Sequence, residues 1–283
     1  MSVALAKKYA PYTDELFKAE SKLSLLTNTD FDWTGAHSVS VWKISTVAMN
    51  DYSRNRGSDF DESAAALSRF GKIIDLDAQT EEMLLQKDRS FIFNIDKMDQ
   101  DETADQLKAE TALARQIREV VIPEVDTYVY AEMVEKAGTK AVNMALTPEN
   151  IYDAIVEGTE TLDDAEVPDT ERVLVASSAT YRIMKKSPDI LLDCDISEEM
   201  RMKGVIAMVD GMAVVKVPAA RLPEGFGFMI AHPAATVAPV KLEDYGTHPD
   251  TALSSGTIVT GRIVYDAFVL ENKADAIYYH PIA

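Results

Sequence analysis

Between residues 87 and 137 the hydrophobic pattern changes period once. Phe91, Phe93 and Ile95 alternate with Ser90, Asn94 and Asp96, the two-residue repeat of a strand with one face buried. Beyond Asp101 the repeat lengthens. Leu107, Ala114, Ile117, Val121, Val125 and Tyr128 trace a stripe that predicts one helix over 101–137, roughly 50–55 Å long at 1.5 Å per residue. Asp99, Asp101, Glu102 and Asp105 crowd its start, where carboxylates complement the positive end of the helix dipole and Asp99 or Asp101 can cap free N–H groups. Pro123 lies inside the pattern and, having no N–H, is expected to kink or break the helix. No glycine-rich turn joins strand to helix, so the unit reads as a spine and not as a nucleotide site.

Upstream, Leu16, Ala19, Leu23 and Leu26 fall on one stripe after Thr13, which predicts a capped amphipathic helix over 13–26 behind an extended arm at 1–12. A strand is expected over 37–46 from Val39, Val41, Trp42 and Ile44. Residues 49–72 have turn chemistry and little apolar period, and 72–77 lead back toward the Phe91 strand. Two extended limbs joined by a polar tip make a ribbon with little core, and a two-stranded ribbon is marginal alone in water. A surface outside its own domain, most simply a neighbouring subunit, is therefore expected to hold it. A plain surface loop is the competing reading.

After Gly138 helices and strands alternate. Thr147-Pro148-Glu149 marks a helix start. A buried strand is expected over 172–176, with Ser177 or Ser178 capping the helix that follows. Two apolar runs, 205–209 and 212–217, flank Asp210-Gly211, the strongest hairpin signal in the chain. Further strands are expected over 226–231, 236–242, 258–270 and 276–280. The fold class is α+β with mixed sheets.

Composition narrows the function. The chain has 283 residues and a formal charge of -19, with Lys and Arg dispersed and adjacent only at Lys7-Lys8 and Lys185-Lys186. That balance argues against a freestanding nucleic-acid binder, which needs a basic footprint. No apolar run approaches the roughly 20 residues that span a bilayer. The single cysteine, Cys194, excludes an intrachain disulfide.

No catalytic, cofactor or metal constellation emerges. Ser177-Ser178 lacks the glycines of a nucleophile elbow, and helix capping accounts for it. His37, His232, His248 and His280 are far apart, without metal-ligand spacing. Carboxylates adjacent in sequence, Asp193 and Asp195, would raise and not lower the pKa of a thiol at Cys194, which disfavours a nucleophile. Gly225-Phe226-Gly227 lacks the third glycine of a dinucleotide loop. Arg54 and Arg56, at the ribbon tip, are the place where exposed basic charge would steer docking on an acidic partner. Their other reading is a solvated loop.

Several segments together resemble the major capsid protein of tailed bacteriophages, of Hong Kong 97-like fold. They are Tyr9–Asn28, Phe31-Asp32-Trp33-Thr34-Gly35-Ala36, Asp88-Arg89, Ile95-Asp96-Lys97-Met98-Asp99, Glu102-Thr103, Val121–Tyr128, Val209-Asp210-Gly211-Met212 and Gly261–Leu270. Each is weak alone; their order and spacing are more specific. The resemblance implies an N-terminal arm over 1–30, then an extended loop and peripheral domain over 31–146, with 101–137 as spine helix. An axial domain over 147–255 and return strands of the peripheral domain over 256–283 complete it. The extended loop would lie over an adjacent subunit, with Trp42, Tyr52, Arg54 and Arg56 as inter-subunit contacts. Many relatives carry a cleaved N-terminal scaffolding segment; here scaffolding is expected from a separate protein, or the sequence is already processed. The interchain crosslinks of some relatives map onto no residue here.

The leading expectation is a structural, non-enzymatic protein that self-assembles into hexamers and pentamers of an icosahedral head. The head would enclose double-stranded DNA without sequence-specific binding. Partners would be further copies of the chain, a scaffolding protein, a portal and decoration proteins, with no membrane and no cofactor. Assembly would take place in the bacterial host cytoplasm and the product would be the virion capsid. The alternative is an encapsulin-like nanocompartment enclosing a cargo enzyme. A cytosolic α+β enzyme is a third reading, which predicts a concave pocket with perturbed ionisable groups.

Overall fold

The computed structural model describes residues 21–28, 38–44, 46–49, 51–52, 70, 75, 78–98, 109–188, 190, 205–249 and 255–282. The chain divides into two compact units, Gly35–Leu84 and the remainder. In the smaller unit, β1 (Ser38–Ile44) pairs antiparallel with β2 (Ala78–Leu84), Ser38 opposite Leu84 and Ile44 opposite Ala78. These are the limbs of the ribbon. The expectation that the Phe91 strand forms its returning limb is corrected: β3 (Lys87–Asp96) belongs to the larger unit, where its whole length pairs with another strand.

The larger unit continues with α1 (Ala109–Gln116), a π turn (Ile117–Val121) and α2 (Ile122–Glu135). β4 (Thr139–Lys140), α3 (Ile151–Asp164), β5 (Val173–Ser177) and α4 (Ser178–Met184) follow. Then come β6 (Val205–Val209), β7 (Met212–Val217), β8 (Phe226–Ala231), β9 (Thr236–Val237) and β10 (Val240–Pro249). β11 (Gly256–Tyr265), β12 (Phe268–Val269) and β13 (Ile277–Pro281) close the chain.

A six-stranded mixed sheet runs β4-β13-β8-β5-β7-β6. Its strands are apolar on both faces, and each face is covered. On one side Val173, Val175, Met229 and Ile277 share a core with Val129, Tyr130 and Met133 of α2 and with Leu23 and Leu26. On the other, Leu174, Phe228, Ile230 and Tyr278 pack with Ile151, Ile155 and Leu162 of α3. The approach of α3 is close enough that a Cβ on Gly158 would lie 2.8 Å from the Tyr278 ring. β6 and β7 are joined through Asp210 (φ 51) and Gly211 (φ 74), the left-handed pair that a two-residue hairpin turn requires. Ser177 caps α4 by accepting from Thr180 N–H at 3.1 Å, as its sequence position implies.

A second sheet, β10-β11-β3, packs on the helix. Val121, Ile263 and Tyr265 form its buried contact, with Phe91, Val125 and Tyr128 half-buried around them. Of residues 256–283, β11 therefore lies with β3, whereas β13 is hydrogen-bonded between β4 and β8 of the larger sheet.

The helix departs from its expected stripe. Residues 101–108, with Leu107 and the acidic start, lie outside the described residues, as does Asp99. At the end of β3, Asp96 Oδ1 accepts from Met98 N–H at 2.9 Å. Ala114 is exposed and α1 has no buried residue. Pro123 does not stop the helix. Instead Ile122 N–H reaches back to Ile117 O, an i to i+5 bond, and this wider turn sits just before the proline ring. The extra residue rotates everything downstream. Downstream the fully buried positions are Asp126, Val129, Tyr130 and Met133, while Val121, Val125 and Tyr128 of the expected stripe pack on the second sheet. Helix α3 also begins later than expected, at Ile151, because Thr147–Asn150 form a turn in which Asn150 Oδ1 accepts from Thr147 N–H at 2.7 Å. The expected 13–26 helix appears in its described part only as a 3-10 turn at Leu23–Leu25.

Candidate functional site: assembly surfaces and the groups that position them

On the ribbon, Lys43 Nζ and Glu81 Oε2 form an ion pair at 3.0 Å across the two strands. Among the described side chains of this unit only Met83 is buried, whereas Val47, Met49, Tyr52, Phe70 and Leu84 are exposed. Tyr52 and Phe70 meet edge to face, ring centres 5.0 Å apart, although Phe70 is 77% exposed. Tyr52 is 49% exposed, so both rings keep part of their surface toward solvent. Of the expected contact residues, Trp42 is placed by its backbone opposite Thr80 and Tyr52 lies in the exposed pair. Arg54 and Arg56 lie outside the described residues.

In the larger unit two buried carboxylates hold the helix in place. Asp126 is 2% exposed; its Oδ2 accepts from Arg221 Nη1 at 2.6 Å and its Oδ1 from the Ser21 hydroxyl at 2.7 Å. Burial pushes this carboxyl above its ordinary range, while Ser21 and Arg221 pull it back. Asp266, 4% exposed, accepts from Gln86 N–H, Ala267 N–H and the Tyr128 hydroxyl, each at 2.8 Å. Burial and then this hydrogen bond raise the Tyr128 phenol. The two acids thus tie α2 to the segment at Ser21, the turn at Arg221, the start of β3 and the end of β11. Neither stands out by spacing in so acidic a chain. The available signal for Asp126 is its place in the stripe 126, 129, 130, 133, which emerges only once the π turn is known.

At the edge of the smaller sheet, Arg262 makes a two-pronged ion pair with Asp88, and Arg89 Nε meets Glu124 Oε1 at 2.7 Å. Arg262 in turn lowers the Asp88 carboxyl through that hydrogen bond. A hollow of about 170 Å³ beside Arg89, Phe91 and Glu124 has its charges already matched by the second pair. Another, of about 470 Å³, includes Arg172 in its wall. That guanidinium is 3% exposed and bonded to Pro168 O, Val167 O and Asp163. The arginines in these walls are matched by structural partners.

The histidines are scattered. His232 Nδ1 accepts from Ala234 N–H at 3.1 Å, and burial lowers its pKa. His248 faces Thr260 at 3.1 Å, His280 stacks on Phe228 with centroids 5.0 Å apart, and His37 lies outside the described residues. Among the described residues no group of three or more His, Cys, Asp or Glu is placed to hold a metal, and no helix is long and apolar enough to cross a membrane.

These two sheets, the broken-period helix and the separate ribbon are the fold of phage capsid proteins. Particular likenesses extend over nearly the whole chain. A structure from Mycobacterium phage Che8 matches with a TM-score of 0.74 at 17% identity, covering 98% of this chain and 96% of that one. The capsid structure of cyanophage P-SCSP1u matches at 0.73 and 14%, covering 98% and 93%. The mature capsid of bacteriophage PhiM1 matches at 0.71 and 12%, covering 99% and 92%. At such identities the likeness is one of fold. No family model matches the sequence, and the search of curated proteins found no match.

Proposed function

We propose that this protein is the major capsid protein of a tailed bacteriophage, with a Hong Kong 97-like fold, and that it is structural and not an enzyme. The observation that carries this reading is the near full-length likeness to phage capsid structures, at TM-scores of 0.71 to 0.74. In this reading hexamers and pentamers close an icosahedral shell around double-stranded DNA, which is held without sequence recognition. Residues 1–30 are the arm and 31–146 the extended loop and peripheral domain. Residues 147–255 form the axial domain, and 256–283 return to the peripheral domain through β11. The ribbon, through Trp42, Tyr52, Arg54 and Arg56, contacts a neighbouring subunit. Its exposed Tyr52–Phe70 pair supports that role. A separate scaffolding protein, a portal and decoration proteins complete the particle, which is assembled in the bacterial host cytoplasm.

Electron microscopy of the purified protein, alone and co-expressed with the scaffold of its own gene cluster, tests the proposal. Closed shells of uniform size are expected. Monomers under every condition would overturn it, and shells that fill with a cargo enzyme instead of DNA would move the protein to the nanocompartments.

A further inference from the structure

The helical layer on one face of the large sheet is divided by charge. In it α3 lies against β13, and its neighbour α4 lies against β5 and β7. Residues 141–171, which include α3, carry nine acids and no Lys or Arg. Asp153, Glu157, Glu160 and Asp164 recur at i, i+4, i+7 and i+11, one stripe of the helix, and each is exposed. The opposite face of α3, with Ile151, Ile155 and Leu162, is the buried one. The region of α4 has the other sign. Arg182, Lys185, Lys186 and Lys216 are all exposed, and the Lys185 and Lys216 Nζ atoms lie 5.0 and 5.8 Å from the centre of the half-buried Tyr181 ring. Among the described residues no carboxylate is paired with any of these four cations. We infer that this basic patch docks on the acidic stripe of α3 in a second copy of the chain, so that copies join head to tail.

Three observations support a second copy as the occupant. First, the patch is more than helix-end chemistry. Lysines after the last turn of α4 complement its dipole, but Lys216 comes from β7 and still converges on the same ring. Second, a chain of net charge -19 leaves these cations without carboxylates of its own, while every further copy offers four on one stripe. A nucleic-acid strand is the other anion to consider. It is uniformly negative, and the stripe on the adjacent α3 repels it where it would extend past the patch. A second copy carries both signs and suits both surfaces. Third, the two surfaces belong to different elements, so their contact is heterologous, and contacts of that kind close into rings when the rotation permits. The inference therefore rests on the shell reading, whose hexamers and pentamers are such rings.

The test is a charge swap in the full-length chain, co-expressed with the scaffold of its own gene cluster and scored by electron microscopy for closed particles. Lys185→Glu with Lys216→Glu should lower particle yield about tenfold or more, because like charges then face each other. Glu160→Lys with Asp164→Lys should do the same. All four changes in one chain leave the net charge at -19 and should restore most of the yield. Melting curves of the subunits show which variants are folded; should a reversed pair not fold, Lys185→Gln with Lys216→Gln carries the test, with a several-fold loss expected. Wild-type yield from the reversed or neutral patch, or no recovery in the fourfold variant, would overturn the inference and leave the shell reading standing. Normal shells that take up less DNA would assign the patch to DNA and overturn it equally. No particles from the wild-type chain under any condition would overturn both.

Discussion

The six-stranded sheet and the ribbon solve the same problem in opposite ways. In the sheet, β5 and β8 are buried along their whole length, and helices from two directions cover both faces. Burying each such aliphatic side chain contributes about 1.5–3 kcal/mol, so this region is stable on its own account. In the ribbon the strand pairing is just as regular, seven residues against seven, yet Tyr52, Phe70 and Met49, the last 98% exposed, keep much of their surface in water. Backbone pairing alone does not stabilise two strands. Regular geometry therefore marks both regions, and the difference lies in how much apolar surface each buries.

Substitutions can break or sharpen that contrast. The largest effect is expected at Asp126. Asp126→Ala leaves Arg221 charged and buried without its carboxylate and should cost about 3–5 kcal/mol in denaturant unfolding, with part recovered when Arg221 is also made Met. A loss below about 1 kcal/mol, as for an exposed pair, would show that the network does not hold the body. Ile230→Ala, at a fully buried position, should cost about 2–5 kcal/mol. Gly261→Ala should cost about 1–3 kcal/mol, because a Cβ there would lie 2.3 Å from the Phe91 ring. An unchanged melting curve would mean that the ring simply turns aside.

The fourth effect depends on pH. His232 is neutral in the fold, since burial lowers its pKa. The unfolded chain takes up a proton near pH 6.5. Its contribution to stability is therefore present above about pH 6.5 and is lost as pH falls through the lower folded value. His232→Asn keeps an acceptor for Ala234 N–H, and should flatten the loss of stability on acidification; the same pH slope in both proteins would rule His232 out as its source. The smallest effect belongs to the ribbon. Tyr52→Ala and Phe70→Ala should each change subunit stability by no more than about 0.5 kcal/mol while lowering the yield of assembled particles. A drop in stability comparable to that of Ile230→Ala would erase the contrast between the two regions.

Much of this was legible in local pattern. The alternation of Phe91, Phe93 and Ile95, the Asp210-Gly211 turn and the Ser177 cap each depend on neighbours in sequence, and each is found in place. What local pattern does not carry is pairing at a distance. β3 reads as half of a ribbon until its partner, about 170 residues away (Phe91 opposite Gly261), is known. The helix stripe finds one packing face, Val121, Val125 and Tyr128 on the second sheet, and misses the other, Val129, Tyr130 and Met133 under the large sheet; a proline signals disruption without saying how the chain absorbs it. Asp126 and Asp266 are two among 47 acidic residues. Nothing beside them in sequence says that they alone need Arg221, Ser21, Tyr128 and Gln86. The contact residues Arg54 and Arg56 rest on sequence and resemblance.

The position of β13 has a consequence for the order of folding. Residues 277–281 are an interior strand of the large sheet, with β4 on one side and β8 on the other. Tyr278 pairs with Thr139 as well as with Ile230, so closing this end of the sheet waits on a pairing that spans about half of the chain, and such long-range pairings are slow to form. Until β13 is seated, β4 and β8 have an empty slot between them, and Tyr278 is missing from beneath α3. Losing that one strand would strip the two-residue β4 from the sheet and leave β8 as its edge.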